Sequence, residues 1–247
     1  MAHAIQWLRS LFFVVQMYLA LLIMGFLYLP WVLVSRRGAY AACIHYCKYV
    51  RWTAGWMVGI KSEIRGTLPD TEVLIGAKHQ SFWDVILIVS EVKKPKFIMK
   101  KSLLSVPIWG WFALRIGCVP VSRGRRAEAI KKMVRDVTSG RAPAGQLIIY
   151  PQGTRVAPGN DLPYKIGTFV LYEETGQKVV PAGTNAGLFW PKYGIMRHPG
   201  LAVVEFLDPI EQGLGKEEFM SVLKERIEEC SNNLMKEAGF DGENRNA

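Results

Sequence analysis

The sequence predicts an α/β fold in which a single mixed, mostly parallel sheet is flanked by helices and preceded by a two-helix membrane anchor. From residue 60 onward, short apolar runs alternate with segments of helical periodicity, which is the pattern of a sheet covered on both faces. Before residue 60, a long run without charges is typical of a segment that contacts lipid. Residues 1–59 are therefore predicted to form the anchor, and residues 60–247 one domain.

The first anchor helix is predicted from residues 10–35, which contain no charged residue and only one polar interruption, Gln16. As one helix this run would extend about 39 Å, more than the roughly 30 Å of a bilayer's hydrocarbon core. Pro30 is expected to kink or end it. A secretory signal fits poorly, because the Arg36–Arg37 pair follows where small residues would precede a cleavage site. The same pair predicts that the rest of the chain lies on the cytoplasmic side of the inner membrane.

The next segment, residues 38–60, carries Lys48 and Arg51 among aromatic and small residues, so it is predicted to be amphipathic. Its tryptophans and tyrosines are typical of the headgroup level of a membrane. Gly55 and Gly59 form a small-xxx-small pair that would let this helix pack closely on the first. The anchor is interpreted as one span plus an interfacial helix or as a re-entrant pair, with a buried soluble hairpin as the alternative.

The elements of the second unit follow from periodicity and turn residues. The predicted strands are 60–66, 72–77, 96–100, 118–121, 146–151, 178–183 and 201–210. The predicted helices are 82–92, a short one within 103–117, an amphipathic one at 126–140, 167–175 and 216–239. Polar clusters follow three of the strands: KHQS at 78–81, SRGRR at 122–126 and PQGTR at 151–155. Because loops at the carboxyl ends of parallel strands gather in one crevice, these clusters predict a binding site.

The first cluster places His79 five residues before Asp84. Ser81 could cap the following helix with Asp84 in its first turn, which would make both residues structural. Alternatively, Asp84 could turn back to hold one imidazole nitrogen of His79 and leave the other to accept a proton. The spacing leaves both interpretations open. With no GxSxG motif and no cysteine near His79, a base here would act on a hydroxyl supplied by the substrate.

The second and third clusters supply Arg123, Gly153, Thr154 and Arg155. Arginines and backbone amides on glycine-containing loops suit a phosphate monoester, although single arginines are usually solvated surface residues. Lys and Arg outnumber Asp and Glu by 31 to 21, and the net charge of +10 indicates contact with anionic lipid or other phosphorylated molecules. Nucleic acid is disfavoured, because no recognised binding motif is found. The four cysteines and four histidines are too dispersed for a disulfide framework or a metal site.

These residues resemble the glycerolipid acyltransferase family. The family's histidine, four residues and aspartate are matched by His79 and Asp84. Its second block is matched by Lys100, Gly117 and Arg123, its third, usually FPEGTR, by YPQGTR at 150–155, and its fourth by Val180 and Pro181. The four blocks occur in order over roughly residues 60–190, and the N-terminal helix pair is also similar to that of bacterial members.

The resemblance implies that His79 is the general base on the sn-2 hydroxyl of 1-acylglycerol-3-phosphate, with Asp84 as its orienting partner. The implied phosphate-binding residues are Lys100, Arg123, Gly153, Thr154 and Arg155. The implied donor is an acyl thioester of coenzyme A or acyl carrier protein, with no metal or cofactor. Gln152 stands where the family usually has glutamate and is a possible acceptor-positioning residue. Its presence leaves open another lyso-lipid acceptor such as a lyso-ornithine lipid, or a non-catalytic phospholipid-binding protein. Hydrolysis of the thioester by water activated by the histidine is a third alternative.

Overall fold

The computed structural model describes residues 1–121, 131, 134–135, 137–139 and 144–241. The helices are α1 (Ala2–Val34), α2 (Arg36–Met57), α3 (Trp83–Glu91), α4 (Trp109–Arg115), α5 (Gly167–Thr175), α6 (Ala186–Phe189) and α7 (Lys216–Glu237), with a 3₁₀-helix at Lys101–Ser105. The strands are β1 (Ile60–Arg65), β2 (Leu74–Ala77), β3 (Pro95–Lys100), β4 (Val119–Val121), β5 (Gln146–Ile149), β6 (Val179–Thr184) and β7 (Gly200–Phe206). Within the predicted helix 126–140, the described residues 131, 134, 135, 137 and 138 are helical.

The described strands form one seven-stranded sheet in the order β1-β7-β6-β2-β5-β3-β4. Every neighbouring pair is parallel except β6 and β7, which are antiparallel. The predicted mixed, mostly parallel sheet is therefore confirmed. Because β6, β2, β5, β3 and β4 run the same way, the loops that follow them lie at one edge, and the start of β7 lies at that edge too.

Side chains alternate across the central strands and fill two cores. Ile75 of β2 faces a core that α2 and α3 share with the sheet, and the neighbouring Leu74 faces a second core under α5 and α7. Both residues are fully buried. The sheet is thus covered on both faces, as the alternation of elements in the sequence predicts.

The two N-terminal helices pack against each other and join at Ser35, whose hydroxyl accepts a hydrogen bond from the backbone N–H of Arg37 at 3.2 Å. Pro30 lies inside α1 and does not end it. The predicted close packing at Gly55 and Gly59 is wrong. A Cβ at Gly55 would meet nothing within 4 Å, and Gly59 lies beyond the end of α2. The close approach is instead at Gly38, where a Cβ would lie 2.8 Å from the backbone of Trp31.

Helix α1 is long and apolar enough to cross a membrane. However, it contacts the α/β domain at intervals along its length. Near its start, Gln6 Nε2 donates to the carbonyl of Arg197 at 2.8 Å. In its middle, the carbonyl of Leu21 accepts from Trp109 Nε1 at 2.8 Å, and near its end the carbonyl of Leu33 accepts from Arg115 at 2.9 Å. The domain therefore lies beside α1 rather than beyond one of its ends.

Candidate active site

The first polar cluster forms the turn between β2 and α3 at the carboxyl edge of the sheet. Strand β2 ends at Ala77, and helix α3 begins at Trp83. His79 and Asp84 meet across this turn: His79 Nδ1 and Asp84 Oδ1 lie 2.8 Å apart. Asp84 is completely buried, and the His79 side chain is 17% exposed. A buried carboxylate thus engages one nitrogen of a ring that is still accessible.

The second carboxylate oxygen of Asp84 holds the turn itself. Oδ2 accepts hydrogen bonds from the backbone N–H of Gln80 at 2.8 Å and of Ser81 at 2.7 Å. The hydroxyl of Ser81 accepts from the N–H of Trp83 at 3.0 Å and donates to the carbonyl of Trp190 at 2.6 Å. The two interpretations of the sequence are therefore compatible. One oxygen of Asp84 orders the helix start, and the other faces the imidazole.

Tyr150, at the end of β5, covers one face of the imidazole. Its ring stacks on that of His79 with centroids 4.0 Å apart and an angle of 19° between the planes. The Tyr150 hydroxyl is buried close to the Asp84 carboxylate. Burial, with a contribution from the nearby Asp84 carboxylate, raises the pKa of Tyr150 well above its usual value, so the phenol stays neutral. The stack restricts the ring plane of His79.

The turn between β2 and α3 is also hydrogen-bonded to the loop that follows β5. The carbonyl of His79 accepts from the N–H of Val156 at 2.8 Å, which ties His79 to the end of the PQGTR segment. Lys78 points to the opposite face of the sheet, where its ammonium pairs with both carboxylate oxygens of Glu228 at 2.6 Å. Glu228 also accepts from the Tyr164 hydroxyl at 2.9 Å. The side chains of Lys78 and His79 thus lie on opposite faces of the sheet, as expected for consecutive residues in extended backbone.

The third cluster forms a tight turn after β5. The N–H of Gly153 donates to the carbonyl of Tyr150 at 2.8 Å, and Gly153 has φ of 67°, a value that glycine adopts readily. A Cβ there would also collide with the side chain of Lys165. Gln152 is buried, and its Nε2 donates to the carbonyl of Leu162 at 3.3 Å. A glutamate could not donate this hydrogen bond.

Two cations of the predicted phosphate site, Lys100 and Arg155, follow β3 and β5 at the same edge of the sheet. Among the described residues, the Arg155 guanidinium has no hydrogen-bond or ion-pair partner, while its carbonyl accepts from Lys192 Nζ at 3.0 Å. Thr154 adjoins it in the loop. Lys100 is exposed at the end of β3, two strands from β2 in the sheet. Arg123 lies outside the described residues. Among the residues that the structure describes, no three His, Cys, Asp or Glu side chains are grouped as a metal site requires.

Sequence reasoning did not identify Tyr150 or Lys192 as neighbours of this site. Tyr150 is the last apolar residue before the PQGTR segment, and β5 lies beside β2 in parallel. The adjacency of their ends would have predicted the contact with His79 once the strand order was known. Lys192 has no comparable signal, because it lies in an irregular segment between α6 and β7.

The sequence of the chain is similar to those of known proteins. A family model described as Acyltransferase matches residues 59–185. The 1-acyl-sn-glycerol-3-phosphate acyltransferase of Pseudomonas aeruginosa is 28% identical over 158 residues, which are 63% of this chain and 62% of that protein. The Escherichia coli protein of the same name is 28% identical over 137 residues, 55% of each chain. The chain thus spans less than two thirds of the length of these relatives.

A solved structure shows the same fold. The crystal structure of PlsC, the 1-acyl-sn-glycerophosphate acyltransferase from Thermotoga maritima, superposes with a TM-score of 0.78 over 95% of this chain and 99% of that chain, at 18% identity. The matched family segment, residues 59–185, contains His79, Asp84 and the PQGTR loop, and it makes up more than half of the 247 residues. The chain belongs to the acyltransferase family.

Proposed function

We propose that this protein is a membrane-associated O-acyltransferase that moves a fatty acyl group from a thioester to the sn-2 hydroxyl of 1-acylglycerol-3-phosphate, forming phosphatidic acid. The observation that carries this proposal is the contact of 2.8 Å between His79 Nδ1 and Asp84 Oδ1 at a partly exposed ring. Because Nδ1 is engaged by the carboxylate, Nε2 is the nitrogen available to act as a base.

The proposed reaction needs no nucleophile from the protein. His79 Nε2 accepts the proton of the acceptor hydroxyl while the hydroxyl oxygen attacks the thioester carbonyl. The carbon–sulfur bond then breaks, and the thiolate leaves with the proton held by the imidazolium, so that an ester and a free thiol are formed. Asp84 fixes the tautomer of the neutral imidazole before the reaction and stabilises the imidazolium that forms between these steps. A thioester is already activated, so the proposed mechanism uses no metal or cofactor.

The proposed phosphate site of the acceptor is built on the loop after β5. Arg155 has a guanidinium without a partner among the described residues, and Thr154 precedes it in the loop. The N–H of Gly153 already donates to the carbonyl of Tyr150, so Gly153 is proposed to shape the turn around the phosphate. A guanidinium fork and backbone N–H groups match phosphate oxygens. Lys100 adds a positive charge at the same edge, and Arg123 of the neighbouring block is proposed to join them.

Gln152 supports lysophosphatidate rather than a different lyso-lipid. Its side-chain amide is buried and donates a hydrogen bond to the carbonyl of Leu162. The side chain is therefore proposed to hold the loop in place, while other residues of the loop bind the acceptor. The intact contact between His79 and Asp84 favours an enzyme over a non-catalytic lipid-binding protein. Acyl-coenzyme A and acyl carrier protein are both proposed donors.

The proposed membrane contact is made by α1 lying along the surface of one leaflet. Large apolar side chains recur every three or four residues on its outer face and are exposed: Leu8, Phe12, Val15, Leu19, Leu22 and Phe26. Trp52 and Trp56 of α2 and Trp111 of α4 are exposed as well. Because the domain lies beside α1 over its whole length, a helix in the plane of the interface fits better than a perpendicular span. The proposed location is the cytoplasmic side of the inner membrane, where the net charge of +10 favours anionic lipid.

A panel of lyso-lipid acceptors tests this function. Purified protein is given a labelled acyl group on coenzyme A or, in a separate reaction, on acyl carrier protein, with lysophosphatidate, lyso-ornithine lipid, a lysophosphatidylcholine or no acceptor. We expect labelled phosphatidic acid with lysophosphatidate and little product with the others. Product with another acceptor only would reassign the substrate, free fatty acid without acceptor would indicate hydrolysis, and no product with either type of donor would refute the activity.

A further inference from the structure

Three cations are buried among the described residues, and one of them lacks an acidic partner. Lys78 pairs with Glu228 at 2.6 Å, and Lys96 lies 3.7 Å from a carboxylate oxygen of Glu72. Arg197, which is only 5% exposed, has no carboxylate partner within the described part of the chain. A buried charge without a counter-charge is unfavourable, so this exception calls for an explanation.

The contacts of Arg197 satisfy only part of its guanidinium. Nη1 donates to the carbonyls of Gly194 at 3.2 Å and Met196 at 2.9 Å. The guanidinium carbon lies 4.2 Å from the centre of the Trp190 ring, a favourable cation–π contact. Nε is buried and has no hydrogen-bond partner among the described residues. Burial lowers the pKa of Arg197 to about 10, so the group is still a cation at neutral pH.

Arg197 lies at the same edge of the sheet as His79. It precedes β7, whose start lies beside the end of β6. Trp190 connects the two positions: its ring contacts Arg197, and its carbonyl accepts from Ser81, two residues after His79. The Trp190 ring also packs against Phe82 with centroids 5.9 Å apart. One tryptophan therefore separates the guanidinium from the turn that carries the proposed base.

Arg197 also contacts the helix with the exposed apolar face. Its N–H donates to the hydroxyl of Ser10 at 3.0 Å, and its carbonyl accepts from Gln6 Nε2 at 2.8 Å. Both residues belong to α1. Leu8 and Phe12, each two residues further along and therefore on the opposite side of the helix, are exposed. If this face of α1 contacts the acyl region of a leaflet, Arg197 is at the depth where lipid phosphates lie.

We propose that Arg197 is an anion-binding residue that receives the phosphate of a lipid between α1 and the segment 190–197. The guanidinium fork matches phosphate oxygens, and a lipid phosphate would supply the counter-charge that the described residues do not. The phosphate belongs either to the acyl acceptor, in which case the inference rests on the proposed function, or to an anionic phospholipid of the leaflet.

The test compares wild type, Arg197→Met, Arg197→Lys and the control Arg226→Met in two arms. Arg226 is an exposed arginine of α7 that donates to the carbonyl of Asp208, so its replacement removes one similar charge elsewhere. One arm measures KM for lysophosphatidate in neutral detergent micelles. The other measures sedimentation with vesicles of phosphatidylcholine, with and without phosphatidylglycerol, which requires no catalysis.

Arg197→Met is expected to weaken phosphate binding by about 10- to 100-fold, the loss for a charge-assisted hydrogen bond. If the acceptor supplies the phosphate, KM for lysophosphatidate rises while KM for the thioester stays unchanged. If the leaflet supplies it, the variant loses preference for vesicles with phosphatidylglycerol. Arg197→Lys should show a smaller loss in the same arm, because it keeps the charge without the fork.

The inference is overturned if Arg197→Met and Arg226→Met give the same KM for lysophosphatidate and the same sedimentation with vesicles. Arg197 would then only stabilise the segment 190–197. If Arg197→Met does not fold, Arg197→Lys decides, since wild-type behaviour of that variant in both arms is equally contrary. Failure of wild type to form phosphatidic acid would refute the proposed function alone, because the vesicle arm still tests Arg197.

Discussion

Replacing Asp84 with asparagine should nearly abolish turnover without unfolding the protein. The asparagine oxygen can keep the two hydrogen bonds that Asp84 Oδ2 accepts from the backbone at 2.8 and 2.7 Å. Its amide nitrogen then faces His79 Nδ1, and two N–H groups cannot face each other. The ring must therefore place its proton on Nε2, which removes the basic site. The expected loss is about 10⁴-fold in kcat, the size caused by the wrong imidazole tautomer in a serine protease triad.

The assay is the initial rate of thiol release from acyl-coenzyme A with lysophosphatidate present, at saturating acceptor. Glu91→Gln is the matched control, because it removes one carboxylate from the same helix at the end that pairs with Arg51, away from the turn. The control should retain activity within a few-fold of wild type. If Asp84→Asn kept more than roughly one tenth of wild-type kcat, Asp84 would not orient a base, and its role would be limited to ordering the start of α3.

The remaining predictions concern the same edge of the sheet. His79→Ala should lower kcat by roughly 100- to 10,000-fold with an unchanged circular dichroism spectrum; a fully active variant would exclude the mechanism. Gly153→Ala should destabilise the fold by about 1–3 kcal/mol in urea titration, because its φ of 67° is strained for alanine. Glu228→Gln should cost about 3–5 kcal/mol in the same titration by leaving Lys78 buried and unpaired, whereas Glu228→Leu with Lys78→Met should recover most of it.

The succession of strands and helices along the chain could be predicted from the sequence, because each element has its own local periodicity. Strand 146–151 and helix 216–239 match β5 and α7 to within a few residues. The predicted strand 201–210 was too long: β7 ends at Phe206, and Ile210 makes only an isolated bridge with Val179. The short helix α6 was missed, because four residues carry too little periodicity to be recognised.

In the candidate site, too, contacts within a short stretch of sequence could be predicted, whereas contacts between distant segments could not. The pairing of His79 with Asp84 was open to prediction because a loop and one helical turn connect them. The stack of Tyr150 on His79 and the stack of Arg197 on Trp190 depend on the order of strands across the sheet, which no short stretch of sequence encodes. The roles of all the site residues stay predictions: His79, Asp84, Lys100, Arg123, Gln152, Gly153, Thr154 and Arg155.

The side chains of α1 and α2 complete the principal core. Phe13, Met17 and Val50 are buried in the same cluster as Ile75 and Trp83, and Phe13 meets the Trp190 ring edge-on. Truncation before residue 60 would therefore expose to water the apolar core beneath the turn that carries His79. Purification of an active protein should rely on detergent or nanodiscs around the intact chain, and a shortened form would be expected to aggregate.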